Sequence, residues 1–317
     1  MKKVNIVMYH YVRELENSRY PGIKGLDYRL FKQQIEFLNS NFTFITMEEL
    51  IAAYDESYVL PDNAVLLTFD DGYSDHYSYV FPILNQYNIQ GSFYIPGKTF
   101  SEGKVLDVNK IHFILASAQD KDILERLYKL LDFYRGNEFE YASNEELFRE
   151  YGVATRFDCA EVIFIKRILQ TVLPERLRNI ITDRLFDEIV GVNESAFAKE
   201  LYLNPEQIAC MKRNGMFIGL HGYDHYWLGN LEEKEMECDI DKALECMQYY
   251  VDPQKWVLNY PYGSYNNGVI ECIKNKGCCL AMATEVGIAS VPGDSRYALP
   301  RLDTNDFPPK SENYKVI

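Results

Sequence analysis

The sequence predicts an α/β fold of repeated strand–helix units, interrupted midway by a helical insertion. Short apolar runs alternate with amphipathic helical patterns through the first hundred residues and again from residue 204 onward. Between about 104 and 200 strand candidates become few, and long helical patterns take their place. Neither half shows an internal repeat, a low-complexity tract or a Gly/Ser-rich linker. The whole chain, 1–317, therefore reads as a single domain.

Taken in order, KVNIVMYHYV opens as a strand, and DYRLFKQQIEFLNSN and TMEELIAAYD follow with helical spacing. NAVLLTFDDG is a strand, YSDHYSYVFPILNQYN a helix and GSFYIP a strand. The insertion carries DILERLYKLLDFY, NEELFREY, AEVIFIKRILQTVLPERLRNIITDRLFDEIV and ESAFAKEL, all helical in pattern. Such an insertion can serve as a lid, as a homo-oligomer surface, or as an extra layer with no catalytic part. Beyond it come the helix NPEQIACMKRNG, the strand MFIGLHGY and the helix LEEKEMECDIDKALECMQYYV. The strand KWVLNYPYG, the helix NNGVIECIKNKG and the strands CCLAMATEV and YALPRLDT complete six or seven units.

Composition narrows the function classes. The 317 residues are 47% hydrophobic and 25% charged, the profile of an ordinary globular protein. Thirty-three Lys and Arg against 47 Asp and Glu leave a formal charge of −14, which repels nucleic acid and anionic membrane surfaces. Twenty-five tyrosines without basic clusters fit sugar recognition, because a ring face stacks on a pyranose while its hydroxyl bonds the rim. The N-terminal apolar run is cut by Asn5 and His10, so no export signal is expected. No apolar stretch is long enough to span a bilayer. The seven cysteines are odd in number and form no C-x-x-C pair, so reduced thiols and a cytoplasmic location are expected.

Four stretches place ionisable or turn-forming residues where an apolar strand ends, the position at which β/α barrels build their active sites. VLLTFDDGY leads into Asp70 and Asp71. One of two adjacent acids can bind a cation while the other stays free as a base, although a plain Asp-Gly turn is the commoner meaning of such a motif. GLHGYDHYWL carries His221 and His225, whose spacing lets a helix or tight turn aim both imidazoles at one point. One carboxylate and two histidines would leave room for water and substrate on a metal. In WVLNYPYGSYN, Pro261 and Gly263 flank Tyr262, whose backbone N–H could face a cavity and stabilise an oxyanion. His10, in IVMYHYV, would reach the same mouth from the first strand, or is simply a core histidine.

Together and in this order the stretches resemble the polysaccharide deacetylases, the NodB-type carbohydrate esterases, over roughly residues 3–100 and 204–304. The resemblance implies a distorted (β/α)7 barrel and a metal-dependent hydrolase that removes an N-acetyl group from an amino sugar. It makes Asp70 the general base, gives Asp71, His221 and His225 to the metal, and gives the Tyr262 amide to the oxyanion. No histidine follows His225, so His10, in a Y-H dipeptide, takes the place of the general acid. Gly222 stands where a hydroxyl residue is usual, and Asn259 stands where an arginine normally holds the base. Arg301, with Asp303 or Asp306 nearby, is the candidate to fill that vacancy. The metal would be zinc, with cobalt, nickel or manganese also suited to two histidines and an aspartate. Tyr223, Tyr226, Trp227 and Tyr265 flank the motifs and, with Tyr262, could line a sugar site. Two other functions are compatible: a binding or assembly protein that has lost catalysis, and a hydrolase of another non-peptide C–N bond.

Overall fold

In the computed structural model, which describes residues 1–155 and 158–317, seven parallel strands close into a barrel. The strands are β1 (Lys2–Tyr9), β2 (Ala64–Phe69), β3 (Gly91–Ile95), β4 (Phe217–Leu220), β5 (Trp256–Asn259), β6 (Cys278–Val286) and β7 (Leu299–Asp303). Each pairs with its sequence neighbours, and β1 closes the ring by pairing with both β2 and β7. Two short strands extend it: Ala289–Val291 runs antiparallel to β1, and Thr43–Phe44 lies parallel to β2.

Strands β2 and β3 are buried at every position, which is why they read as largely apolar runs with little alternation. Period-two geometry still divides their side chains between two cores. Val65, Leu67, Phe69 and Phe93 pack with Phe31, Leu84, Ile208 and Ile240 of the surrounding helices. Ala64, Leu66, Tyr94, Val257, Leu280 and Leu299 form a second cluster with Met47, Leu50 and Ile51 of the helix Met47–Tyr54. By the same alternation Thr68 and Asp70 follow Leu66 on one face of β2.

The helices begin where their side chains can satisfy the first amides. Thr46 with Glu49 and Asn204 with Gln207 form capping boxes, and Asp27 caps Tyr28–Asn41. The stretch YSDHYSYVFPILNQYN, expected as one helix, opens instead with a π-turn, His76–Val80, before Phe81–Gln86. Pro82 has no amide to donate, and the wider turn, closed by the Phe81 N–H on the His76 carbonyl, accommodates that loss.

The chain divides into two compact units, one of Met1–Glu14, Gly25–Lys104 and Ala198–Ile317, the other of Leu15–Lys24 and Val105–Phe197. The second unit is helical, with Asp107–Ser117, Asp120–Tyr134, Asn144–Tyr151, Ala160–Arg167 and Glu175–Ile189 as its α-helices, and Glu194–Leu201 beginning within it. Asp107–Ser117 is a helix the sequence patterns above leave out. The long pattern from 160 to 190 is not continuous: Leu173 turns extended ahead of Pro174, the conformation a residue before proline favours. Among the described residues no helix is long and apolar enough to cross a membrane, and no disulfide is formed.

Candidate active site

At the carboxyl end of β2 the backbone changes hand. Asp71 and Gly72 take left-handed φ values of 71° and 64°, so the adjacent carboxylates leave the strand in different directions. Both are essentially inaccessible to solvent. Burial pushes the Asp70 carboxyl up, but the Arg301 guanidinium, helped by His221 and His10, outweighs it and holds the group at about 2. Burial also raises Asp71, and the two imidazoles of His221 and His225 pull it well below the ordinary carboxylate value. Both acids are therefore ionised in a closed environment.

His221 follows β4 directly, and His225 lies four residues on in a turn, not a helix, with a left-handed φ of 60°. The turn brings both Nε2 atoms to 3.3 Å from Asp71 Oδ1, and the three donor atoms lie within 4.8 Å of one another. Donors each ~2.1 Å from a shared tetrahedral centre stand about 3.4 Å apart, which is the separation both Asp71–histidine pairs have. Asp71 Oδ1 is buried and accepts no hydrogen bond, so its lone pairs face the same point as the imidazoles. His221 Nδ1 bonds the Asn259 carbonyl at 2.6 Å, which sets the tautomer that leaves Nε2 with its lone pair. The His225 ring is braced edge-on by Tyr262, centroids 4.7 Å apart. Burial lowers His225; at His221 burial is outweighed by Asp71 and Asp70, which raise it. The residues fit a divalent cation.

Arg301 and Asn259 meet at Asp70. The guanidinium Nη2 lies 2.8 Å from Asp70 Oδ2 and Nη1 donates to Oδ1 at 3.1 Å, while Nε is fixed on the Ala283 carbonyl. Asn259 Nδ2 donates to the same Oδ1 at 2.6 Å. Asp303 and Asp306 do not take part; they form the cap of the turn after β7. His10 sits half-buried just past β1, near enough for its charge to act on Asp70 and Asp71.

The aromatic candidates separate. Trp227 stacks on Tyr262 with rings 4.4 Å apart and nearly parallel, beside His225. Tyr262 itself has a φ of 57°, which redirects its peptide from the strand path. Tyr265 stacks on Tyr260 and donates to Glu285. Tyr223 is drawn into packing, nearly buried, with its hydroxyl donating to Glu102.

Two residues were not anticipated. The Tyr73 hydroxyl donates to Asp71 Oδ2 at 2.5 Å, leaving Oδ1 turned to the histidines. His76, wholly buried on the π-turn, places Nε2 2.9 Å from the His10 carbonyl. The only sequence signal for either is its place just after the double aspartate.

The sequence profile of the family described as polysaccharide deacetylase matches residues 58–129 and 185–280, just over half of the chain. The chain belongs to the polysaccharide deacetylase family. It is therefore a hydrolytic deacetylase, and the family implies an acetylated sugar as substrate. It is similar to YxkH of Bacillus subtilis, a protein named for the same family, at 28% identity over 95% of this chain and 71% of that one. Its fold matches the Streptococcus pyogenes deacetylase PplD, solved in complex with acetate (TM-score 0.59, 16% identity, 99% and 96% of the two chains). It also matches IcaB from Ammonifex degensii (TM-score 0.56, 20% identity, 96% and 94%).

For this member of the polysaccharide deacetylase family, the Arg301–Asp70 pair gives a stability prediction. Arg301→Met should strand a buried carboxylate and cost about 3–5 kcal/mol. A matching fall in the urea midpoint would confirm it, and an unchanged midpoint would show the pair to be dispensable.

Proposed function

We propose that the chain is a metal-dependent N-deacetylase of an amino sugar, with Asp71, His221 and His225 as the metal ligands and Asp70 as the general base. The observation that carries this is the convergence of three buried donor atoms beside a second carboxylate that other groups already hold. A divalent cation bound there, zinc or in its place cobalt, nickel or manganese, would supply Lewis acidity, polarising the acyl carbonyl and easing ionisation of water.

The remaining steps belong to the chain. Asp70, ionised and fixed by Arg301 and Asn259, takes the proton of the attacking water. The backbone N–H of Tyr262 donates to the oxygen that gains charge in the tetrahedral stage. His10 delivers a proton to the departing amine, giving acetate and a free amino sugar. Tyr73 keeps Asp71 from turning away from the cation.

Trp227 and Tyr262 form the apolar wall on which a pyranose stacks. Trp227→Ala is expected to raise KM by about 5–10-fold with a smaller change in kcat, the pattern of a contact made equally in ground and transition states. Equal falls in kcat and kcat/KM would instead place Trp227 at the chemical step. The substrate we favour is a cytoplasmic N-acetyl sugar, nucleotide-linked, lipid-linked or small, in surface-polysaccharide assembly. The unpaired cysteines and the charge of −14 support an intracellular, non-nucleic-acid setting. The helical unit is available for self-association.

Catalysis is favoured over a binding role because two of the three departures from the family pattern, Asn259 and Gly222, are accommodated, and His10 stands in for the missing C-terminal histidine. Asn259 and Arg301 hold Asp70 jointly, and Gly222 occupies a left-handed position. A panel of acetyl, formyl and cyclic amide substrates tests the reaction. Acetate release alone supports N-deacetylation; formate release or ring opening would transfer the site to another C–N bond.

A further inference from the structure

The turn between His221 and His225 is held from two sides. On one, the carbonyls of Gly222 and Tyr223 accept from the amides of Gly97 and Lys98 at 3.0 and 3.1 Å, and the Lys98 ammonium pairs with Asp224 at 2.6 Å. On the other, a single buried carboxylate takes both amides: Asp239 Oδ2 accepts from Tyr223 N–H and Oδ1 from Asp224 N–H, each at 2.9 Å. Asp239 belongs to the helix Glu233–Met247 and is 4% exposed.

The turn needs such a clamp. For two imidazoles four residues apart to face Asp71, the chain takes left-handed φ at Gly222 and again at His225, the latter unfavourable for a residue with a Cβ. An unrestrained loop would relax from that conformation, and the histidines would diverge. Asp239 also accounts for the glycine. A Cβ at Gly222 would lie 2.9 Å from Asp239 Oδ2 and 3.4 Å from Pro261, so the carboxylate occupies the space a side chain would need.

We propose that Asp239 is a positioning residue for the metal site, its two oxygens locking the Tyr223 and Asp224 amides so that His221 and His225 present Nε2 to one point. The inference rests on reading Asp71, His221 and His225 as metal ligands. No polar group other than a carboxylate replaces it well: asparagine offers one acceptor oxygen and sets an N–H2 against the second amide.

The test uses the full chain, with Zn2+ affinity measured by chelator competition and the Co2+ absorption spectrum as the report on ligand geometry. Asp239→Asn is expected to weaken Zn2+ binding by about 10–100-fold and to change the Co2+ spectrum while far-UV dichroism stays native. Unchanged affinity and spectrum would overturn the proposal. If that variant does not fold, Asp239→Glu, which keeps the charge but displaces both oxygens from the two amides, is read by the same two measurements. If the wild-type chain binds neither Zn2+ nor Co2+, the proposed function falls, and amide exchange then decides for Asp239. Faster exchange at Tyr223 and Asp224 in Asp239→Asn would retain it as the organiser of the turn, and unchanged exchange would reject it.

Discussion

Asp70→Asn is expected to lower kcat by about 10²–10⁴-fold, the usual contribution of a positioned general base, with metal content unchanged. The substitution keeps the shape of the side chain and removes its ability to take a proton. Asp71, His221 and His225 hold one another without Asp70, so the ligand cluster should survive. Arg301 would then face a neutral amide while Asn259 kept an acceptor oxygen, so a moderate loss of stability should accompany the loss of rate. Single-turnover acetate release together with metal analysis separates these effects. Near-normal turnover in Asp70→Asn would remove Asp70 from the chemistry.

The second large effect concerns the ligands. His221→Ala should abolish stoichiometric metal binding and with it activity, because two remaining donors do not make a three-ligand site. It also removes the hydrogen bond to the Asn259 carbonyl, and that residue also holds Asp70. Asp71→Asn offers a milder comparison: it keeps an oxygen towards the histidines but discards the charge, so metal binding should weaken strongly at constant shape. Full metal occupancy in His221→Ala would show that the cation, if present, is held elsewhere.

Much of this site was legible because chemistry and strand ends coincide in the sequence. TFDDG, HGYDH and NYPYG each follow an apolar run, and closing the barrel gathers them at one mouth. Arg301 could be nominated because β7 also ends there. As the substitute for the missing arginine it was expected to hold Asp70, and the two do pair, whereas Asp303 and Asp306, named beside it, cap the turn after β7. Asn259 reads in sequence as a lost arginine, whereas in space it donates to Asp70 and its carbonyl receives His221.

Other features needed three dimensions for definite physical reasons. Asp239 lies on the buried stripe of its helix with Met236, Ile240 and Ala243, and an acid on such a stripe is a signal that periodicity alone could have raised. Tyr223 looks like a site aromatic from its place between two histidines, but the turn's reversal sends its ring into packing with Lys242 and Glu102. The break at Pro174 was written in the sequence and masked by the strong helical pattern on either side. The assignment of Leu15–Lys24 to the helical unit has no local signature, because it depends on contacts far along the chain.

The most direct test is to strip the chain of metal with a chelator, titrate Zn2+ back, and record acetate released from a panel of N-acetyl amino sugars against metal bound. Acetate release that rises in proportion to bound metal and levels off at about one equivalent per chain, as a single three-ligand site requires, is the expected result. Acetate release indifferent to metal, or a chain that takes up none, would contradict a metal centre at Asp71, His221 and His225.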